Sequence, residues 1–152
     1  MAKEKGGSPK SGPDKAAPEQ IEQVVRRYYA LLHEVEPDLA ALDALIGAEL
    51  EQVEHPNAVS PMGQRRGKAQ LLADQSSGDV LTDQTFELLD LLVNGGRVAV
   101  RGRWSGVLRE KAGPLSAGTR LVANVAAFLR VQDGVVVEHE SFECYEPVRR
   151  SG

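Results

Sequence analysis

Apolar residues recur along this chain with two different periods, and the change of period separates predicted helices from predicted strands. From Pro18 to Val35 they follow a spacing of three and four, which is typical of one face of an amphipathic helix. Shorter helices are predicted at 39–46, where Asp38 can cap the first turn, and at 68–74. From Arg97 to Leu108 apolar and charged residues alternate instead, which is the period of a strand.

Two turn signals join the predicted strands into hairpins. Asn94-Gly95-Gly96 lies between a predicted strand at 82–93 and the strand at 97–108. Asp133-Gly134 lies between two long apolar runs and is the strongest hairpin signal in the chain. The second half of the chain is therefore predicted to consist of antiparallel strands.

One more strand is predicted earlier, at 49–55, because Pro56 holds His55 in an extended conformation. A loop follows at 57–67. Helices that come first and antiparallel strands that come after them predict an α+β fold. In this fold a curved antiparallel sheet wraps around three N-terminal helices.

The hairpin at Asp133-Gly134 can close in two registers, and they send the side chains of its second strand to opposite faces. A two-residue type I′ turn places Glu138 and Glu140 on the apolar face. A type I turn followed by a G1 bulge at Gly134 places His139 and Glu143 there instead. We prefer the second register, because it buries one carboxylate beside a histidine rather than two carboxylates.

Composition sets the domain bounds and excludes several classes of function. Residues 1–17 are rich in Gly, Ser, Pro and Lys and predict a disordered tail, followed by one domain at 18–148 and a short tail at 149–152. The net charge of −4 argues against nucleic acid as a partner. No apolar run approaches a membrane span and no signal segment opens the chain, so we expect a cytoplasmic protein without membrane contacts. The single cysteine, Cys144, excludes an internal disulfide.

Four residues with acid–base chemistry are predicted to share one cavity between the first helix and the sheet: Tyr28, His55, His139 and Glu143. Proton abstraction next to a carbonyl needs a base with a near-neutral pKa, which histidine provides. It also needs a hydrogen-bond donor where the enolate oxygen forms, which a tyrosine provides. Inner-face residues of the strands complete the predicted pocket wall: Val100, Trp104, Val125 and Ser141.

Other roles for these residues stay open. Glu143 could orient His139, or act as the base itself if burial raises its pKa. A buried tyrosine or histidine can also simply satisfy a backbone group. His55, His139 and Glu143 have the composition of a two-histidine, one-carboxylate metal site. Nothing in their spacing fixes three ligands, however, and we predict neither a metal nor a cofactor.

Three segments in a fixed order carry a resemblance to a known family: VVRRYYALL, then VEHP with a loop and RGKAQLL, and finally QDGVVVEHESFECYEP. Over 19–147 they resemble the nuclear transport factor 2-like, cystatin-like superfamily, in its SnoaL-like and ketosteroid isomerase branch. The resemblance implies a cone-shaped barrel. It also implies that His55 takes the place of the isomerases' aspartate base, that Tyr28 is similar to their oxyanion tyrosine, and that Ala127 replaces their second oxyanion donor.

The resemblance and the predicted cavity together suggest a cofactor-independent isomerase, cyclase or dehydratase that uses general acid–base catalysis on a small apolar carbonyl compound. The alternative is a non-catalytic domain that binds a small ligand or a partner through the same cone. We also expect a homodimer through the outer face of the sheet, where four apolar residues would otherwise be exposed: Val122, Ala126, Phe128 and Phe142.

Overall fold

Three helices and six strands follow one another in the computed structural model, which describes residues 16–76 and 81–148. The predicted tails at 1–17 and 149–152 lie outside the described residues, except for Ala16 and Ala17. The helices are α1 (Pro18–Leu32), α2 (Leu39–Leu45) and α3 (Lys68–Ser76). The strands are β1 (Ile46–Glu54), β2 (Gln64–Arg66), β3 (Leu81–Asn94), β4 (Arg97–Leu108), β5 (Arg120–Gln132) and β6 (Val135–Tyr145).

The strands form one mixed sheet in the order β2-β1-β6-β5-β4-β3. Neighbours are antiparallel except for β1 and β6, which are parallel. The α+β class is confirmed, but the prediction of a wholly antiparallel sheet was wrong. The long stretch of chain between β1 and β6 lets these two strands pair in the same direction, which a short hairpin loop could not do.

The three helices are not all N-terminal to the sheet, although the predicted fold placed them there. α3 follows β1 and β2, so only α1 and α2 precede the sheet. β2 forms inside the predicted loop at 57–67, where Gln64, Arg65 and Arg66 pair with the end of β1. α1 contacts β3 at the edge of the sheet as well as β5 and β6 in its interior. One helix thus contacts both the middle and the edge of the sheet, in keeping with the cone fold.

The apolar stripe of α1 forms the centre of the core. Ile21, Val25, Tyr28 and Leu31 are buried with the inner faces of the strands. Pro18 begins the helix, where the N–H that it lacks has no partner to lose. The rest of the buried cluster comes from the helices and from the inner faces of the strands: Tyr29, Leu42, Ile46, Leu50, Leu71, Val98, Val100, Ala127, Leu129, Val131 and Val136.

A two-residue turn closes the hairpin between β5 and β6. Gln132 pairs with Val135, so only Asp133 and Gly134 lie in the turn. Their φ angles are 52° and 77°, and positive φ at both central residues is the requirement of a type I′ turn. The predicted type I turn with a G1 bulge was therefore wrong.

A β-bulge at Val137 restores the register that the sequence favoured. Val131 pairs with Val136 and Arg130 pairs with Glu138, which leaves Val137 without a partner on β5. Beyond the bulge every side chain of β6 is shifted by one position relative to an unbroken hairpin. The inner face of β6 consequently carries the three polar residues that the preferred register placed there: His139, Ser141 and Glu143.

Gly47 provides the space for this bulge. A Cβ atom at position 47 would lie 2.8 Å from Cγ1 of Val137, closer than side chains tolerate. α2 ends at Leu45, so Gly47 belongs to β1 rather than to the end of the predicted helix at 39–46. The Asp38 cap is as predicted, since its carboxylate accepts from the Ala41 N–H at 3.0 Å.

The outer face of the sheet is polar at one end and apolar in its middle. Arg101 pairs with Asp90, and Arg103 pairs with Glu146. Farther along β5 and β6, Phe128 and Phe142 are 53% and 40% exposed, and their rings meet edge to face.

Candidate active site

A cavity of about 450 Å³ opens between α1 and the inner face of the sheet, a volume that suits a small organic molecule. Tyr29 and His33 contribute to its wall from α1. Glu54 of β1 and Arg66 of β2 lie on another side. The strands β3 to β6 complete the wall with a mixture of apolar, aromatic and polar residues: Gln84, Phe86, Trp104, Val125, His139, Ser141, Glu143 and Tyr145.

The structure brings together only part of the predicted site. His139 and Glu143 line the cavity, as do Trp104, Val125 and Ser141 of the predicted pocket wall. Tyr28 and Val100 lie behind that wall in the apolar core, 0% and 4% exposed. Both are buried, as expected, but neither lines the cavity.

His55 lies on the outer face of the sheet, not in the cavity where the sequence placed it. Its Nε2 atom is 2.7 Å from Oε1 of Glu140, and its ring stacks on Phe142 with ring centroids 4.3 Å apart. The physical reason is the alternation of side chains along an extended chain. Because Glu54 faces the cavity, the next residue faces the opposite surface.

Glu143 is the carboxyl group with the most altered acidity at the site. Burial raises its pKa to about 7, and the negative charge of Glu54 and a hydrogen bond with that carboxyl act in the same direction. The hydroxyls of Tyr145 and Ser141, each 3.3 Å away, donate to Glu143 and partly oppose this rise in pKa. Glu143 can therefore take up or release a proton near neutral pH.

The neighbouring Glu54 is held by two partners. Asn57 donates to its Oε1 atom at 2.9 Å, and Nη2 of Arg66 lies 3.5 Å from its Oε2 atom. Arg66 also donates to Asp74 at 3.1 Å. Its buried Nε–H has no hydrogen-bond partner within the described residues. The acid pair therefore faces one guanidinium group that balances part of its charge.

His139 is hydrogen-bonded at both ring nitrogens. Its Nδ1 lies 2.8 Å from the hydroxyl of Tyr28, and its Nε2 lies 3.2 Å from the hydroxyl of Tyr29. Burial is the main cause that lowers the pKa of His139 to about 4, and nearby His33 and Arg66 act in the same direction. The imidazole is therefore neutral at pH 7.

Aromatic rings form the wall on the α1 side. Phe86 stacks on both Tyr29 and His33, at centroid distances of 4.5 Å and 5.1 Å. On the neighbouring strand Trp104, the cross-strand partner of Phe86, donates from Nε1 to Gln84 at 3.2 Å and meets Tyr145 edge to face. Apart from its acid pair, the cavity thus offers a ligand mainly flat apolar surfaces.

Sequence reasoning missed several residues of this site, among them Tyr29, Glu54 and Arg66. Tyr29 follows Tyr28 directly, and a wider apolar stripe on α1 would have included both. Glu54 shares its face of β1 with Leu50, four residues earlier, which is a usable signal. Arg66 gave no signal, because β2 is a three-residue strand inside a loop.

The described residues also bear on metal binding and on membrane crossing. Within 16–76 and 81–148, no group of three or more His, Cys, Asp or Glu side chains is arranged to hold a metal ion. His55 is separated from His139 and Glu143, so the sheet divides the two-histidine, one-carboxylate set considered from sequence. No helix in the described part of the chain is long and apolar enough to cross a membrane.

The described residues form an α+β fold with an acid-lined cavity against its first helix. The sequence model of the SnoaL-like domain matches residues 25–139, most of the chain. The protein therefore belongs to the SnoaL-like family of the nuclear transport factor 2-like superfamily. No curated protein matches the sequence.

Solved structures with this fold include an NTF2-like protein from Burkholderia thailandensis E264, at 28% identity and a TM-score of 0.63 over 81% of this chain and 89% of that one. A candidate SnoaL-like polyketide cyclase from Jannaschia sp. CCS1 is similar at 17% identity and a TM-score of 0.67 over 86% and 90% of the two chains. A protein with a ketosteroid isomerase-like fold from Catenulispora acidiphila DSM 44928, bound to trimethylamine, has 17% identity and a TM-score of 0.63 over 84% and 86%. At 17% identity, the last two structures show a common fold and nothing more.

Proposed function

We propose that the protein is a cofactor-independent enzyme that moves a proton within a small, largely apolar carbonyl compound, as an isomerase, cyclase or dehydratase does. The observation that carries this proposal is Glu143, a carboxyl group with a pKa of about 7 inside a cavity of about 450 Å³. A general base works best when its pKa lies near the working pH. Membership of the SnoaL-like family and the similarity to a candidate polyketide cyclase support the same class of reaction.

The chemistry requires only groups that this chain supplies. The Glu143 carboxylate takes a proton from the carbon next to the carbonyl, and the C–H electron pair becomes a new C=C bond. The carbonyl oxygen gains negative charge, which the Tyr29 hydroxyl stabilises as a hydrogen-bond donor. In a substrate with a C=C bond beyond that carbon, the enolate extends over this bond; return of the proton from Glu143 to its far carbon moves the double bond, and no electrons leave or enter the substrate.

Glu143 is a better base than its neighbour. Glu54 lies close to Arg66 and accepts from Asn57, so its charge is already engaged. Glu143 accepts from the neutral hydroxyls of Ser141 and Tyr145, and Glu54 raises its affinity for a proton. Glu54 therefore serves to raise the pKa of Glu143, and Arg66 holds Glu54 in place.

The test is proton exchange with solvent, followed by NMR, for a panel of enolisable ketones and unsaturated lactones. Wild type should catalyse exchange for at least one compound, and Glu143→Gln should lose roughly 100-fold or more of the rate. Glu140→Gln is the matched control, because it changes the same group on the same strand but on the outer face. His55→Ala should also leave the rate unchanged. Equal rates for wild type and Glu143→Gln would reject the base assignment.

A second function is favoured by one observation. His55, which by resemblance stands in the place of the isomerases' base, lies on the outer face with Glu140. A chain that has given up that base could keep the cavity for binding alone. Saturation-transfer NMR with the same compounds distinguishes the two functions, since a binding domain would retain a ligand without exchanging its protons.

A further inference from the structure

Three side chains form a continuous hydrogen-bonded chain that leads from the core to the cavity. Tyr28 lies at its inner end, fully buried and away from the cavity wall. His139 lies in the middle, bonded through Nδ1 to Tyr28 and through Nε2 to Tyr29. Tyr29 lies at the outer end, on the cavity wall. Among the described residues, neither tyrosine hydroxyl has another hydrogen-bond partner.

The burial of Tyr28 determines which groups donate and which accept in these two hydrogen bonds. A neutral imidazole donates from one nitrogen and accepts at the other, so two directions are possible. If Nδ1 carried the proton, Nδ1–H would donate a hydrogen bond to the Tyr28 oxygen. The O–H of Tyr28 would then remain in the core without an acceptor. If Nε2 carries the proton, Tyr28 donates to Nδ1, and both the Tyr28 hydroxyl and the His139 ring are satisfied. The cost of an unsatisfied buried donor favours the second direction by roughly tenfold or more.

Tyr29 has no such restriction at its own end. Its hydroxyl accepts from Nε2, and its O–H is then free to point into the cavity, where a ligand or water can accept it. The lowered pKa of His139 keeps the ring neutral at pH 7, so one nitrogen always remains an acceptor. The two ends of the chain are therefore not equivalent.

We propose that Tyr28 holds His139 as its Nε2–H tautomer, and that His139 in turn donates to Tyr29 and directs the Tyr29 O–H into the cavity as a donor to the ligand. Tyr28 and His139 are positioning residues, and Tyr29 is the group that touches the ligand. The site then selects a ligand that presents an acceptor oxygen to Tyr29. The identification of this oxygen as a reacting carbonyl rests on the proposed function. The direction of the hydrogen bonds from Tyr28 to Tyr29 does not rest on it.

The position of Glu143 fits this arrangement. Burial and then the negative charge of Glu143 raise the pKa of Tyr29, so the carboxyl and the hydroxyl are close enough to interact. A ligand whose oxygen accepts from Tyr29 thus has an adjacent part of its skeleton near the acid pair. A cationic group cannot accept the O–H of Tyr29 and would be directed to Glu143 instead.

The tautomer can be measured directly on the full chain by two-bond ¹H–¹⁵N NMR after ¹⁵N-histidine labelling, at pH 7 and without ligand. The chain has three histidines, and the variants His33→Gln and His55→Gln assign their signals. His33 provides an internal reference, because its Nδ1 lies 2.8 Å from the carbonyl oxygen of Tyr29 and must carry a proton to donate to it. His139 should show the opposite pattern, with the proton on Nε2.

Variants test the cause of the tautomer. Tyr28→Phe removes the donor to Nδ1, so the preference for Nε2–H should fall by roughly tenfold and a mixture should appear. Tyr145→Phe is the matched control, since it removes a hydroxyl from the same cavity without touching His139. The wild-type spectrum is decisive even if Tyr28→Phe folds poorly.

An Nδ1–H tautomer or a doubly protonated ring for His139 in wild type would overturn the proposal, as would an unchanged tautomer in a folded Tyr28→Phe variant. These outcomes are separate from those of the exchange assay. An Nε2–H ring in a protein that catalyses no exchange keeps the direction of the chain and removes the enzyme function. Catalysis by a protein with an Nδ1–H ring keeps the enzyme function and removes the proposed direction of the hydrogen bonds.

Discussion

Glu54 at the end of β1 and Glu143 on β6 hold two carboxyl groups next to each other inside one cavity. Burial and the second negative charge both favour the protonated form of Glu143. The fold therefore carries a carboxyl group that is harder to ionise than it is in the unfolded chain. This difference has consequences for stability and for activity, with opposite dependence on pH.

Stability should fall as the pH rises through the titration of Glu143. Its pKa is about 7 in the folded state against an ordinary value of 4.5, so the folded state binds the proton more tightly and loses stability between pH 4.5 and 7. Glu143→Gln cannot ionise and avoids this loss. After discounting for partial solvent access, the variant should gain about 2 kcal/mol on wild type across this range. Urea unfolding at several pH values measures it, and parallel profiles for the two proteins would contradict it.

Activity should rise over the range in which stability falls. If the ionised form of Glu143 is the base, kcat/KM should increase as the pH rises through about 7, because this parameter reports the free enzyme. Glu54→Gln removes the neighbouring negative charge and should move the inflection to lower pH. An inflection that stays in place in Glu54→Gln would show that another group controls the rate.

The outer face of the sheet should form a homodimer. Phe128 and Phe142 are half-exposed side by side, and His55 stacks on Phe142. Sedimentation at micromolar concentration should give twice the monomer mass, and Phe128→Asp should give the monomer. Met62→Asp is the control, because Met62 is 91% exposed in a loop and carries no such neighbour pair. A wild-type monomer would reject the dimer.

Gly102 should not tolerate a side chain. A Cβ atom there would lie 2.7 Å from Cε1 of Phe86 and 3.0 Å from the carbonyl oxygen of Glu87. Phe86 stacks on Tyr29, so Gly102→Ala should press the aromatic wall together and destabilise the fold by about 1–3 kcal/mol. Adding Phe86→Leu removes the ring atoms in question and should reduce the cost of Gly102→Ala. Equal costs in the two backgrounds would locate the strain elsewhere.

The period of apolar residues predicted the elements well where one face of a strand is buried. β4 alternates strictly, with arginines outside and Val98 and Val100 inside, and its predicted bounds match the structure. The end of β1 shows the limit of that signal. Val53 and Glu54 both lie half-buried there, so hydrophobicity does not identify the inner row, and the resemblance to the isomerases selected His55 instead of Glu54.

The turn between β5 and β6 could not be settled from its own residues. Asp133-Gly134 suits both a type I′ turn and a G1 bulge, and the deciding feature lies outside the turn. The space at Gly47 of β1, which accommodates Val137, depends on a strand from the other end of the chain. The inner row of β6 was predictable because burying one carboxylate costs less than burying two, whatever geometry produces that row.

The bulge at Val137 exchanges the two faces of β6 for every residue that follows it. The strand contains two interleaved sets of side chains, one with His139 and Glu143 and the other with Glu138 and Glu140. An unbroken hairpin with the same turn would turn the second set inward and expose the first. One unpaired residue thus selects which set becomes the chemistry of the cavity and which becomes the surface that other molecules meet.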